Sequence, residues 1–202
     1  MGELLVLRHG ETQWSRSGRH TGLTDIPLTA RGEEQARSAA RLLHGRRIGL
    51  ALVSPLRRAV RTAELAGLGG FQLDPDLHEW DYGLYEGVTT AQIEKTRPGW
   101  NLWTDGVPDR GPGDPGEDAE KVGRRVDRVL RKVRSAMTDQ DAGEDVIVVA
   151  HSHVLRVLVA RSLGLAPGGG ALFQLGTAAM GTIGTEHGRA VVTGWNIISV
   201  DG

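Results

Sequence analysis

The stretch from Leu4 to Glu11, "LLVLRHGE", decides how the rest of the chain is interpreted. Four aliphatic residues without polar alternation are typical of a strand that is buried on both faces of a sheet. Arg8 and His9 follow immediately, where that strand is expected to end. In an open α/β sheet, ligands bind beyond the carboxyl ends of the strands, so Arg8 and His9 are candidate site residues.

Two later runs resemble this first strand: "LALVS", residues 50–54, and "DVIVVAHS", residues 145–152. Helical patterns lie between and after the runs, at residues 29–45, 54–69, 117–137 and 153–165. Thr29 is the expected N-cap of the first helix, and Ser54 that of the second, with Pro55 at its first position. Residues 172–198 predict two or three strands with a turn at Glu186 to Gly188. The alternation predicts an α/β three-layer sandwich with a mostly parallel central sheet flanked by helices.

The composition favours an ordinary globular enzyme or binding domain. The chain has 202 residues, 39% apolar content and a formal net charge of −1, which favours one domain over residues 1–202 and gives no attraction to nucleic acid or membrane. It has no cysteine, which excludes disulfides and cysteine-based metal sites. No signal segment is recognisable, so the expected location is the cytoplasm.

Residues 79–117 fit the strand and helix alternation poorly. They hold two tyrosines and three tryptophans, followed by the Pro- and Gly-rich "GVPDRGPGDPGED". We expect them to form a cap excursion, at about residues 79–117, over the carboxyl ends of the strands. Trp80, Trp100 and Trp103 are expected to form the small core of this cap, with a stacking wall for a sugar as the alternative. The arginines between Arg124 and Arg134 predict a solvated helix face.

Three strand ends carry the residues that suggest chemistry. Arg8 and His9 follow the first strand, Ser54 to Arg58 follow the second, and His151 to His153 follow the run that ends at Ala150. Two histidines and two arginines at one sheet edge suit phosphoryl transfer. A neutral imidazole can attack phosphorus, and guanidinium groups bind phosphate oxygens and neutralise their charge.

Five blocks of the sequence resemble the histidine phosphatase superfamily, also called phosphoglycerate mutase-like: "LRHGET", "TGLTDIPLTARGEEQA", "SPLRRAVRTA", "EWDYGLYEG" and "VVAHSHVLR". They occur in the family's order and span almost the whole chain. The second and fourth blocks resemble the branch with the mycobacterial acid phosphatases and the fungal sedoheptulose-1,7-bisphosphatase. This resemblance implies a phosphomonoesterase that hydrolyses small phosphorylated metabolites, a sugar phosphate or sugar-acid phosphate, through a phosphohistidine intermediate.

The resemblance also assigns roles to individual residues. It implies that His9 is the nucleophile, that Glu79 donates the proton to the leaving group, and that the phosphate pocket is completed by Arg8, Arg58 and His151. It implies a second set of substrate-binding residues: Thr21, Gly22, Tyr82 and Arg156. Their positions make His20, Ser152 and His153 further candidates, with a hydrogen bond that braces His151 as the alternative role for His153. Ser152 stands where the family usually has glycine. No cofactor and no metal are expected, the partner is a small-molecule phosphate ester, and a homodimer is the family's frequent state.

Other functions stay open at this point. A 2,3-bisphosphoglycerate-dependent phosphoglycerate mutase shares the phosphate pocket, but Ser15, Gly18 and "EWDYG" differ from the mutase pattern. A catalytically inactive phospho-ligand-binding domain is a second alternative, against which the intact set of His9, Arg58, Glu79 and His151 argues. A metallohydrolase would need clustered carboxylates that the sequence lacks.

Overall fold

The computed structural model describes residues 2–139 and 143–199, so the remaining few residues of the predicted domain lie outside the described part. Within it, six strands form one sheet with the order β3-β2-β4-β1-β5-β6. The strands are β1 (Leu4–Arg8), β2 (Ile48–Val53), β3 (Gln72–Leu73), β4 (Asp145–Ala150), β5 (Met180–Glu186) and β6 (Arg189–Ile197). β3, β2, β4 and β1 run parallel to one another, and β5 pairs antiparallel with β1 and with β6.

Helices cover both faces of the sheet. They are α1 (Gln13–Ser17), α2 (Ala30–Ala39), α3 (Arg57–Leu65), α4 (Thr90–Glu94), α5 (Leu102–Asp105), α6 (Ala119–Asp139) and α7 (Ser152–Ser162). Alternate residues of the central strands enter two separate cores. Leu4 and Val6 pack with α6 and α7, whereas Leu5 and Leu7 pack with α2 and α3. This confirms the predicted three-layer α/β class and explains why these strands show no polar alternation.

The strand order brings the three informative strand ends together. β4 lies between β1 and β2, and all three run parallel, so their carboxyl ends meet at one edge. The backbone N–H of His9 donates to Ala150 O at 2.9 Å, and that of Ser54 donates to Val149 O at 2.9 Å. The residues that follow each strand are therefore held within one small region of the edge.

The helix starts were predicted with mixed success. The Thr29 side chain accepts a hydrogen bond from Gly32 N, which confirms it as the N-cap of α2. The expected cap at Ser54 is wrong, because α3 begins at Arg57 with Leu56 as its N-cap residue. The Ser54 hydroxyl is instead engaged with His151 Nε2 at 2.7 Å.

At the other edge, β5 and β6 form the predicted hairpin, with His187 and Gly188 in its turn. Both turn residues have positive φ, 48° and 76°, as a tight hairpin turn of right-handed twist requires. The short strand β3 was not predicted. It has only two residues, both exposed, and therefore no burial pattern.

Gly10 illustrates why the chain turns sharply after β1. A Cβ on Gly10 would lie 2.2 Å from Gly32 O, so the loop rests directly on the first turn of α2. The Gly10 N–H donates to Thr62 Oγ1 at 3.1 Å. Glycine is required here by this contact with the helix.

Residues 79–117 cross over the α6 and α7 side of the sheet. They contain α4, α5 and one 3-10 turn, Gly83–Tyr85. The expectation of a separate small core in the cap is wrong, because Trp80 and Trp100 are buried in the core shared with α6 and α7 and Trp103 packs against it. The Pro- and Gly-rich tip is fastened by Arg110, which binds Asp81 and Asp114. In the described part of the chain, no helix combines the length and hydrophobicity needed to cross a bilayer.

Candidate active site

A cavity of about 190 Å³ opens where the ends of β1 and β4 meet residues 79–82. The residues that line it come from four segments of the chain and are mostly polar: Arg8, His9, Ser15, Gly18, Arg19, His20, Thr21, Glu79, Tyr82, Ser152 and His153. Glu79 is the only acidic residue in that lining, so the cavity combines two arginines with a single carboxyl group.

His9 is held in one orientation and one tautomer. It is buried, and its Nδ1 lies 2.7 Å from Gly10 O, so Nδ1 carries the proton and donates it to that carbonyl. Nε2 therefore carries the lone pair. Burial, followed by the charges of Arg58 and Arg8, lowers the pKa of His9 well below its usual value. At neutral pH, His9 is an uncharged imidazole with a nucleophilic nitrogen.

Arg8 presents an unpaired donor in the same cavity. Its Nη1 donates to Leu175 O at 2.6 Å, but its Nε is buried and has no hydrogen-bond partner among the described residues. Leaving a buried donor unpaired costs about 1–3 kcal/mol, and more for a charged group. Such a donor in a cavity wall is explained when an anion accepts it.

Arg58 and His151 stand behind His9, outside the cavity lining. Arg58 is fully buried, and its Nε donates to His151 Nδ1 at 3.1 Å. Its other nitrogens donate to backbone carbonyls of the loop at residues 21–24. Because Nδ1 of His151 accepts this bond, its Nε2 carries the proton and donates to Ser54 Oγ. The chain of Ser54, His151 and Arg58 places a fixed positive charge close to His9, whose ring lies 5.1 Å from that of His151.

Glu79 is fixed by backbone N–H groups at the start of α7. Its Oε1 accepts from Trp80 N and Val154 N, both at 2.9 Å, and its Oε2 accepts from His153 N at 3.0 Å. Oε2 thus makes a single hydrogen bond and retains a position for a proton or a ligand oxygen. Glu79 is 3% exposed, and it lines the cavity together with Arg8.

Aromatic and imidazole rings form the remaining wall. The Tyr82 hydroxyl and His153 Nδ1 are 2.6 Å apart, and the His20 ring contacts Tyr82 with centroids 4.8 Å apart. Burial raises the pKa of Tyr82 well above its usual value, so its hydroxyl stays protonated. Burial lowers the pKa of His20 to about 4, so this ring is uncharged at neutral pH.

The structure brings together, in the cavity wall, eight of the twelve residues that the sequence suggested. In the cavity wall lie Arg8, His9, His20, Thr21, Tyr82, Glu79 and the pair Ser152 and His153. Gly22 lies beside them, where its carbonyl accepts from Arg58 and a Cβ would lie 2.5 Å from Trp80 O. Arg156 is outside the lining. It donates to Gly170 O and Ala171 O and stacks on Trp103.

Three lining residues were not proposed from the sequence: Ser15, Gly18 and Arg19. They belong to α1 and the residues that follow it, and only the position of α1 over the strand end reveals them. The described residues contain no group of three or more His, Asp or Glu side chains arranged to hold a metal ion.

Comparison with known proteins agrees with this geometry. The family model described as Histidine phosphatase superfamily (branch 1) matches residues 4–198. The chain belongs to the histidine phosphatase superfamily.

Among its relatives, an acid phosphatase of Mycobacterium tuberculosis is 41% identical over 187 residues, covering 92% of this chain and 87% of the relative. A sedoheptulose 1,7-bisphosphatase of Saccharomyces cerevisiae is 34% identical over 189 residues, covering 80% of this chain and 67% of the relative. A solved structure of an open reading frame product of M. tuberculosis superimposes with a TM-score of 0.88 at 37% identity, covering 98% of this chain and 99% of that one. The predicted family, the fold class and the phosphatase class of enzyme are confirmed.

Behind the site of this superfamily member, a buried ion pair fastens the segment that carries Glu79. Arg125 of α6 is 4% exposed and pairs with Glu117 at 2.8 Å, and it also donates to the carbonyls of Asp76, His78 and Glu79. Glu117 in turn accepts from Asp81 N at 3.0 Å. The expectation that all arginines between Arg124 and Arg134 face solvent is therefore wrong for Arg125.

Replacing Arg125 with methionine is expected to lower the free energy of unfolding by about 3–5 kcal/mol. The change leaves the Glu117 carboxylate, whose side chain is 15% exposed, without its charge partner and three carbonyls without their donor. Urea unfolding followed by circular dichroism measures the change. Arg128→Met is the matched control, because Arg128 lies on the same helix and pairs with Asp76 while about half exposed. It should cost less than about 1 kcal/mol, and equal losses in both variants would contradict the prediction.

Acid is expected to destabilise the fold between about pH 6.5 and 5. Burial is the main cause that lowers the pKa of four histidines, namely His9, His20, His151 and His153. The unfolded chain binds protons at these residues near pH 6.5 while the folded protein does not, so stability is complete above that pH and is lost below it. The slope approaches about 1.4 kcal/mol per pH unit for each histidine.

The test is urea unfolding at half-unit steps from pH 7.5 to 5. The His20→Gln variant should reduce the slope of unfolding free energy against pH by the contribution of one histidine. His44→Gln, at an exposed position, should leave that slope unchanged. A stability that is flat across this range would show that these imidazoles are not kept neutral by the fold.

Proposed function

We propose that the protein hydrolyses small phosphate monoesters by way of a phosphohistidine on His9. The observation that carries the proposal is the pairing, in one cavity, of a neutral imidazole with a free Nε2 and a buried Arg8 Nε that has no acceptor among the described residues. The first can act as a nucleophile, and an anionic oxygen would satisfy the second. A phosphate ester supplies both the electrophilic phosphorus and the anionic oxygens.

In the first step, His9 Nε2 forms a bond to phosphorus as the bond from phosphorus to the ester oxygen breaks. The Nδ1–H bond to Gly10 O orients the ring and stabilises the positive charge that develops on it. Arg8, and Arg58 at longer range, neutralise the charge on the phosphoryl oxygens. The proton on Glu79 Oε2 passes to the departing alkoxide.

In the second step, water replaces the leaving alcohol in the cavity. Glu79, now ionised, accepts a proton from that water as its oxygen bonds to phosphorus and the bond to Nε2 breaks. Inorganic phosphate and neutral His9 result, and Glu79 is protonated again. The cycle therefore balances without a cofactor or a metal ion.

The proposed substrates are small sugar phosphates or sugar-acid phosphates. The cavity of about 190 Å³ is smaller than the sites that hold drug-sized ligands, and its lining is polar. A small polyol phosphate suits that volume and that lining. The similarity to a yeast protein named sedoheptulose 1,7-bisphosphatase supports the same class.

The test is release of inorganic phosphate from a panel of sugar phosphates, phosphoglycerates and phosphoamino acids, at pH values from acidic to neutral and with EDTA present. Release from the sugar compounds in EDTA supports the proposal, and loss of release in EDTA would overturn it. Release only in the presence of a bisphosphoglycerate primer would indicate a mutase. Binding without release would indicate an inactive phospho-ligand-binding domain. Location in the cytoplasm and assembly as a homodimer stay predictions, the second testable by light scattering.

A further inference from the structure

The cavity has an arginine, Arg19, in its wall that the proposed mechanism does not use. We infer that Arg19 binds a second anionic group, a carboxylate or a second phosphate, on the same substrate molecule. This inference rests on the proposed function, which places the scissile phosphate at His9 and Arg8, and it adds the residue that would select doubly anionic substrates.

Unlike the side chains of most described arginines, that of Arg19 has no partner among the described residues. Its side chain is exposed, lines the cavity and makes no hydrogen bond or ion pair with any described residue. By contrast, carboxylates bind the side chains of many other arginines, among them Arg37, Arg46, Arg61, Arg110, Arg128 and Arg161. An unpaired guanidinium at the rim of a site is available for a ligand.

The backbone that carries Arg19 is fixed, so its side chain starts from a defined point. Gly18, with φ of 72°, ends α1, and Arg19 N donates to Trp14 O at 3.0 Å. The backbone of Arg19 forms an isolated antiparallel β-bridge with Thr89. In the next residue, His20 N donates to Val88 O, and His20 O accepts from Gly87 N. Only the side chain needs to be ordered when a ligand binds, which limits the entropic cost of binding.

The charges around the cavity also favour an anion at the rim. The imidazoles of the wall are uncharged at neutral pH, because burial lowers the pKa of His9, His20 and His153. Arg8 and Arg19 are therefore the positive groups of the lining, and Glu79 is its one carboxyl group. Arg8 lies beside the nucleophile, which leaves Arg19 for a charge at the other end of the substrate.

The decisive comparison uses two nearly isosteric esters, 3-phosphoglycerate and glycerol 3-phosphate, which differ by a carboxylate in place of a hydroxymethyl group. Fructose 1,6-bisphosphate and fructose 6-phosphate form a second pair, in which the extra anion is a phosphate. We expect the wild-type enzyme to favour the doubly anionic member of at least one pair in kcat/KM. Arg19→Met should reduce that preference about 10- to 100-fold, mainly through KM. The pair that responds identifies the anion.

Two further variants sharpen the result. Arg19→Lys should restore part of the preference, since it keeps the charge but not the planar fork. Arg16→Met is the matched control: Arg16 is exposed on α1, binds Gln13 and does not line the cavity. It should leave the preference unchanged. An unchanged preference in Arg19→Met, or an equal loss on both members of each pair, would overturn the inference.

Binding separates this inference from the proposed function. Calorimetric titration of the same four esters into His9→Ala, and into His9→Ala combined with Arg19→Met, needs no turnover. If the wild type releases no phosphate but the affinity preference depends on Arg19, the hydrolytic proposal fails and the second anion site stands. If turnover is normal and neither affinity nor kcat/KM distinguishes the paired esters, the second anion site fails alone.

Discussion

Replacement of His9 by alanine is expected to lower kcat/KM for phosphate esters by at least about 10⁴-fold and to abolish a covalent phosphoenzyme. The substitution removes the unprotonated Nε2 of His9, whose ring lines the cavity and is oriented by its bond to Gly10 O. Arg8 and Arg58 remain, so the variant should still bind phosphate esters. Rapid quenching at alkaline pH, where a bond between phosphorus and nitrogen survives, followed by mass spectrometry, detects the phosphoenzyme in the wild type.

His44→Ala is the matched control, because His44 is exposed at the end of a 3-10 turn and far along the chain from the site. It should retain wild-type kcat/KM. The unfolding midpoint of His9→Ala shows whether lost activity reflects lost structure. A folded His9→Ala variant with substantial turnover, or a wild-type phosphoryl group on another residue, would contradict the assignment of His9.

The sequence predicted those parts of the fold that depend on local apolar pattern. β1 and β4 are buried on both faces, so their runs of aliphatic residues were unambiguous. Thr29 was recognisable as a cap because its side chain accepts a hydrogen bond from Gly32 N, a donor in the first turn of the same helix. Ser54 offered the same local signal but is taken by His151, a residue 97 positions away, and this long-range bond could not be read from the neighbourhood of Ser54.

The burial of Arg125 could have been predicted from its position on the apolar stripe of α6, but its charge favoured the prediction of a solvated residue. It lies three residues after Val122 and four before Val129, so it falls on the buried stripe of α6. A charged residue on such a stripe indicates a buried pair. The partner, Glu117, is eight residues earlier and precedes the helix, so the pairing depends on how the cap returns to α6. Only the folded chain supplies that information.

The candidate site divides in the same way. Strand ends and the resemblance located Arg8, His9 and Glu79 from sequence, since strands of known direction fix where their ends meet. The sequence did not show which of the predicted residues line the cavity and which lie behind it. The structure puts Arg58 and His151 behind His9, because their donors and acceptors are used by Ser54 and by the loop at residues 21–24. Arg19 was missed because its exposure and lack of a partner are properties of the assembled cavity.

Glu79→Gln is expected to slow hydrolysis of alkyl phosphates by about 10²- to 10⁴-fold, and that of p-nitrophenyl phosphate much less. An alkoxide needs a proton in order to leave, whereas nitrophenolate leaves without one. Glutamine keeps an oxygen for Trp80 N and Val154 N but turns an NH₂ group toward His153 N, so the variant also loses one hydrogen bond. The ratio of the two rates, rather than either rate alone, therefore reports the proton transfer.

Glu79→Asp separates the loss of the acid from the loss of the hydrogen bond. Aspartate can carry the proton, but its side chain is one methylene shorter, so its carboxyl group lies farther from the leaving group. The ratio of alkyl to aryl rates should therefore fall less than in Glu79→Gln. Because the proposed mechanism also has Glu79 deprotonate the water that attacks the phosphoenzyme, the glutamine variant should accumulate phosphohistidine with the aryl ester. A burst of nitrophenol followed by a slow steady rate measures this accumulation. If alkyl and aryl esters lose activity equally and no burst occurs, Glu79 is a residue that orders the start of α7 through its three backbone contacts, and the proton comes from elsewhere in the cavity.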